Sequence, residues 1–237
     1  MILAAIDFES PLTWAILIGW IMTVVLHEFA HGIVAYFGGD YTIKERGGLT
    51  LNPIQYIDPF GSILLPAIFL ALGGIPLPGG ATYIHRELLR SRAWDAAVSA
   101  AGPAMNLLLF LLLSLPFHPA IGWITVDPNT PESWTPTQMF LVTLAQLQFI
   151  AIVINLIPLP PLDGFQIVGA FMDEETRQKL MSMSFFSFIV LFLVIMRTPG
   201  LWTWIFSTTA RVYLAVGFDA DFLHFAITAF FQSLGLG

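Results

Sequence analysis

The sequence predicts an all-α polytopic membrane protein, and three observations carry that expectation. Of its 237 residues, 57% are hydrophobic and 11% are charged, with a mean hydropathy of +0.79, which is far more apolar than an ordinary soluble domain. The apolar residues are gathered into runs long enough to cross a bilayer as helices. Between the runs lie the Pro, Gly and charged residues that end helices.

Taken in order, the expected spans are Leu12 to Phe37, Trp94 to Phe117, Met139 to Ile157 and Met183 to Met196. The flank before the first run, Asp7 to Ser10, is acidic and no basic stretch precedes it, so this run reads as a retained span and not as a cleaved leader. Trp123, Trp134, Trp202 and Trp204 fall where spans should end, as interfacial anchors do. The run from Phe60 to Pro76 is shorter and is interrupted by Pro66 and Gly73-Gly74. Lys44, Arg46, Arg86, Arg90 and Arg92 flank it on both sides, whereas His118 to Gln138 holds no Lys or Arg. By the positive-inside rule, residues 38 to 92 begin and end in the cytoplasm, so 60 to 76 is expected to be re-entrant and not spanning. Tyr41 to Leu51, with Gly47-Gly48 in it, reads as a short β-hairpin or extended loop whose edge could pair with an extended substrate, and equally as a solvated connector. Leu201 to Leu234 is divided by Arg211, Asp219 and Asp221 into two apolar pieces. The whole of 1 to 237 is expected to be a single integral membrane domain, with a catalytic core from about 12 to 170 and C-terminal helices from about 183 to 234.

Composition also excludes chemistry. The chain has no cysteine, so disulfides, thiolate zinc sites and cysteine nucleophiles are ruled out. Nine scattered Lys and Arg residues and a net charge of −7 give no general basic surface for nucleic acid.

Within the first span stands His27-Glu28-Phe29-Ala30-His31. On a helix, two imidazoles four residues apart project from one face and can share a metal ion, and the glutamate between them can act as general base toward a water. Polar groups in a membrane helix are costly to desolvate and usually mark a function. A polar contact between helices is the competing reading of the two histidines. A catalytic zinc site also needs a third protein ligand and an open position. Asp163 is the best candidate, because Pro158, Pro160 and Pro161 prevent a regular helix before it and would present its carboxylate from unwound backbone. It could instead simply cap the helix that follows. Asp58, in Asp58-Pro59-Phe60-Gly61, is the rival ligand, although that sequence also reads as a turn. His85, His118 and His224 lie in segments assigned to solvent or to packing.

Four separated motifs then agree with one family: His27-Glu28-Phe29-Ala30-His31-Gly32, Asp58-Pro59-Phe60-Gly61-Ser62, Ala101-Gly102-Pro103-Ala104-Met105-Asn106, and Asn155 through Pro158 to Leu162-Asp163-Gly164. Their order and spacing resemble the site-2 proteases, the intramembrane zinc metalloproteases of peptidase family M50, over roughly residues 20 to 170. The resemblance implies a core of three transmembrane helices and one zinc ion per chain. It carries over His27, His31 and Asp163 as the zinc ligands, Glu28 as the catalytic base, and Asn155 as a residue that positions substrate or stabilises the oxyanion. The implied substrate is a membrane protein cut within or near a transmembrane segment. Many relatives carry a further N-terminal helix or an appended PDZ or CBS domain, and none of these is seen here. The expectation is a compact member of prokaryotic type in the cell inner membrane, with its active site toward the cytoplasm. On residues alone, the small side chains of Ala97 to Ala104 allow close helix approach in lipid, and Asn106 reads as an interhelical hydrogen-bonding group in preference to a partner standing behind the metal site.

Two other classes compete. Membrane proteases that cut prenylated termini share His-Glu-x-x-His but need a later glutamate ligand, and Glu45, Glu87, Glu132, Glu174 and Glu175 all lie outside clear spans. A proteolytically inactive zinc-binding scaffold or transporter would retain the fold, but no internal symmetry of the transporter kind is visible.

Overall fold

The computed structural model describes residues 9–64, 66–68 and 78–234, and among these residues all regular structure is helical. Helix α1 spans Pro11–Gly38, with Pro11 at its start, where a missing N–H costs nothing. At 28 residues it is about 42 Å long, more than the roughly 30 Å hydrocarbon core requires. It stops at Gly39, whose φ of 125° suits a residue without a side chain. A short helix α2, Thr42–Glu45, follows. Helix α3, Arg92–Ser114, is capped by Ser91 and keeps Pro103 in its interior. Helix α4, Pro136–Asn155, opens with a capping box in which Thr135 and Gln138 satisfy each other's backbone N–H groups.

Among the described residues, helices α1, α3 and α4 are the three that are long and apolar enough to cross a membrane. They pack on one another as the central bundle, and the short helix α5, Asp163–Gly169, packs on α3. Large side chains such as Ile18, Leu107, Leu108, Leu111 and Leu112 remain exposed on this bundle, where lipid would cover them. Next come α6, Glu174–Met181, and α7, Ser184–Arg197, which meet at a 58° bend and together could form one broken span. Helices α8, Pro199–Ala215, and α9, Ala220–Ser233, close the chain against α4. Phe110, Phe117, Tyr213, Phe222 and Phe225 form the aromatic centre of this second layer. Within the bundle, polar pairs cross between helices: Gln148 to Thr23 at 2.9 Å, Gln146 to Thr209 at 3.1 Å, and Ser114 with Tyr213 at 3.0 Å. Such bonds fix helix register where lipid supplies little hydrophobic drive.

The expected hairpin over Tyr41 to Leu51 does not form. Asp40 is fully buried and draws the chain around itself, accepting from Thr42 Oγ1 at 2.5 Å, Arg46 Nη2 at 2.8 Å and the His85 amide at 2.9 Å. That side-chain competition for the backbone outweighs the β-propensity of Thr42 and Ile43. The segment becomes a helical turn, and the Gly48 amide then closes on the Ile43 carbonyl at 3.0 Å. Trp134, read as an interfacial anchor, is buried and packs edge-on against Phe225. The re-entrant excursion expected over 60 to 76 falls largely on residues outside those described. Its described flanks meet, since the Gly79 amide donates to the Gly61 carbonyl at 3.1 Å and Ser62 Oγ donates to the Gly79 carbonyl at 2.7 Å.

Candidate metal centre

Helical spacing brings the His27 and His31 side chains together, with their Nε2 atoms 3.1 Å apart. Both rings are buried, as is Glu28 between them. His31 Nδ1 donates to the Val98 carbonyl of α3 at 2.6 Å. That bond puts the proton on Nδ1 and leaves the Nε2 lone pair directed at the centre, as metal-binding histidines require. Helix α3 can come this close because residue 102 is glycine: a Cβ there would overlap Nε2 of both His27 and His31.

The third group arrives from α4. Past Asn155 the chain leaves the helix through Leu156–Leu162, with a cis peptide bond between Pro160 and Pro161, and α5 begins at Asp163. Gly164 permits this tight return, since a Cβ on it would collide with the Leu156 carbonyl. Asp163 Oδ2 then lies 3.1 Å from His27 Nε2, and Oδ1 lies 3.4 Å from His31 Nε2. Ligand atoms of His27, His31 and Asp163 all fall within 4.8 Å of one another.

These residues fit a metal ion. Asp163 Oδ2 is buried without a hydrogen-bond partner, which is unfavourable unless a cation compensates. Two imidazole nitrogens and a carboxylate oxygen are a ligand set that zinc takes, with a fourth position left for water or substrate.

Glu28 is held from the other side. The extended segment around Gly80 runs past α1, and Thr82 Oγ1 donates to the Glu28 carbonyl at 3.0 Å. Trp20 Nε1 anchors the segment through the Pro78 carbonyl at 2.9 Å, and the Ala81 amide donates to the Tyr56 carbonyl at 3.0 Å. Gly80 lies against Glu28, because a Cβ there would come within 3.0 Å of Glu28 Cγ. Burial, and secondarily the negative charge of Glu28, push the Tyr56 phenol above its ordinary range. Tyr56 donates its proton to the Thr50 carbonyl at 2.6 Å.

Of the residues expected to form the site, the fold brings His27, His31 and Asp163 together, with Glu28 adjacent on α1. Asn155 ends α4, partly exposed, at the start of the loop that delivers Asp163. The rival ligand Asp58 is occupied in a turn, accepting from the Gly61 amide at 2.6 Å and from the Tyr83 hydroxyl at 2.8 Å. His118, on the far side of the bundle from the basic loops, bonds the Val216 carbonyl. Sequence reasoning missed the Val98 carbonyl, which has no side-chain signature. It read Gly102 only as packing. It also missed the ion pairs of Asp95 with Arg86 and Arg177 beside the centre.

A buried group of two histidines and an aspartate that could hold a metal ion, inside a bundle of apolar helices, is the arrangement of a membrane metalloprotein. Comparison with known proteins narrows the class. Residues 121–196, which include Asn155 and Asp163, match peptidase family M50. A Mycolicibacterium smegmatis protein named as the zinc metalloprotease Rip2 is 37% identical over 208 residues, covering 86% of this chain and 76% of the relative. Its Mycobacterium tuberculosis H37Rv namesake is 37% identical over 203 residues, 84% of this chain and 74% of the relative. A Bacillus subtilis protein named as the zinc metalloprotease YwhC is 37% identical over 185 residues, 76% of this chain and 78% of the relative. The chain belongs to peptidase family M50, and it is a metalloprotease of the site-2 protease type. No solved structure matches it.

Proposed function

We propose that this protein is an intramembrane endopeptidase that cuts membrane-protein substrates within or near their transmembrane segments. One zinc ion per chain would be held by His27, His31 and Asp163. The observation that carries this reading is the depth of the centre. His31 lies seven residues before the end of α1 at Gly38, or about 10 Å along a helix long and apolar enough to cross a membrane, which supports a site inside the membrane and nearer one end.

Zinc in that position would polarise the scissile carbonyl and make water more acidic. Glu28 takes a proton from the attacking water and returns it to the leaving amine. Asn155 donates its side-chain amide to the oxygen that becomes negative as the tetrahedral carbon forms. Gly102 and Gly80 let α3 and the segment around residue 80 pack directly against the histidines and Glu28.

The orientation follows from charge. Lys44, Arg46, Arg86, Arg90 and Arg92 sit at the α1 C-terminal end, and the opposite loop lacks cations, which supports a centre facing the cytoplasm of a prokaryotic cell. A substrate helix must unwind to be cut, because its amides are otherwise paired and shielded.

The test is to reconstitute the protein in vesicles with single-span peptides and to locate the cut by mass spectrometry. Cleavage in the cytoplasmic half of the span is expected. Cleavage confined to the water-exposed flanks would contradict an intramembrane site.

A further inference from the structure

We propose that Arg177 and Asp95 are positioning residues that set the place of the Asp163 carboxylate relative to the two histidines, so that zinc affinity depends on an ion pair outside the ligand set. This rests on the reading of His27, His31 and Asp163 as the zinc ligands.

Asp163 is the first residue of α5, a helix of only seven residues. Besides its packing on α3 and the turn that delivers it, this helix is held by Gln166. Its Oε1 accepts from Arg177 Nη2 at 3.0 Å, and its Nε2 donates to Met181 Sδ at 3.2 Å. Arg177 and Met181 are both on α6, an otherwise polar helix with no buried residue. The same guanidinium extends Nη1 to Asp95 Oδ2 on α3 at 3.1 Å, and its side chain is 12% exposed. Asp95 Oδ1 is taken by Arg86, which also donates to Ser99 Oγ at 3.1 Å.

The position of Asp95 gives this chain its meaning. One turn further along α3, the Val98 carbonyl fixes the His31 ring. Two of the three ligands are therefore referenced to the same turn of α3: His31 directly, and Asp163 through Gln166, Arg177 and Asp95. Arg177 is suited to this because its planar fork bonds an amide oxygen and a carboxylate from two separate nitrogens, whereas both bonds of a lysine would have to converge on one ammonium. Without it, Asp95 Oδ2 and Gln166 Oε1 lose their shared donor. The short helix can then rotate, and a ligand held more loosely than about 0.5 Å no longer presents a preorganised site.

The experiment measures the zinc affinity of the purified full-length chain in detergent, by competition with a chromophoric chelator. It compares wild type with Arg177→Met, Arg177→Lys, Gln166→Leu and Asp163→Ala. Arg90→Met removes the same charge from an arginine whose Nη2 bonds Tyr41 at the surface, and serves as control. Arg177→Met is expected to weaken zinc binding about 10- to 100-fold, the usual effect of removing a partner behind a ligand. Arg177→Lys should recover part of the loss, and Arg90→Met should bind as wild type does. Activity of Arg177→Met should return toward the wild-type kcat when zinc is raised, which a general folding defect would not allow. An affinity for Arg177→Met within about twofold of wild type, while Asp163→Ala has lost zinc, overturns the proposal and leaves the ligand assignment standing. Retention of zinc by Asp163→Ala overturns the ligand assignment itself. If Arg177→Met fails to fold, Gln166→Leu decides, and an unchanged affinity there also overturns the proposal.

Discussion

Substituting Gly102 by alanine separates the metal centre from the stability of the helix that carries it. A Cβ at residue 102 would lie 2.5 Å from His27 Cε1 and closer still to Nε2 of both imidazoles, where ordinary contact begins near 3.4 Å. Either the rings or α3 must retreat by about 1 Å, whereas ligand distances in a zinc site tolerate roughly 0.2 Å. A misplacement of about 1 Å at a reacting centre costs about 100-fold. Both histidines are affected, so zinc affinity should fall at least about 100-fold, or about 2.7 kcal/mol. The propensity gain of alanine over glycine in a helix interior, about 0.5–1 kcal/mol, offsets part of the cost of about 1–3 kcal/mol that the same overpacking imposes on the metal-free fold. The assay is a chelator competition together with a thermal melt of the metal-free protein. The expected result is zinc binding weakened by at least about 100-fold while the melting temperature of the metal-free protein falls by only a few degrees. A Gly102→Ala protein that binds zinc as tightly as wild type would refute the close approach of α3 to the two histidines.

Two further predictions address other parts of the account. Asn155→Ala should keep its zinc and its KM while kcat falls about 100- to 1,000-fold, as loss of an oxyanion donor does; an unchanged kcat would remove Asn155 from the reaction. Asp40 bears on pH. Burial alone would raise its carboxyl, but the bonds from Thr42, the His85 amide and Arg46 outweigh burial and hold it below the usual carboxylate range. A lowered folded-state value stabilises the fold above the unfolded value of about 4, and that contribution is lost as pH falls through the folded value. Asp40→Asn should therefore melt lower at neutral pH and lose less stability below about pH 4, and parallel curves of melting temperature against pH would contradict it.

Much of the site is legible in the sequence because its signals are local. His27 and His31 meet through the helical repeat alone, and the three prolines before Asp163 break the helix whatever surrounds them. The long apolar runs likewise set α1, α3 and α4 before any contact is considered. What is not legible depends on tertiary approach. Gly102 shows itself as a cradle only once α3 lies on α1, and the Val98 carbonyl acquires its role from the same crossing. Arg177 and Asp95 are far apart in sequence, and each alone reads as an ordinary charge near a membrane surface. Tyr41 to Leu51 has the composition of a hairpin, but the buried Asp40 beside it sets the local backbone. Trp134 has the position of an interfacial anchor, and the packing of α9 buries it instead.

The most direct test of the central claim is the zinc content of the purified protein, read alongside cleavage of a single-span peptide, for wild type, Glu28→Gln and Asp163→Ala. The account predicts one zinc per chain with cleavage in wild type, one zinc without cleavage in Glu28→Gln, and neither zinc nor cleavage in Asp163→Ala. Cleavage at the wild-type rate by Glu28→Gln, or a full zinc complement in Asp163→Ala, would contradict it.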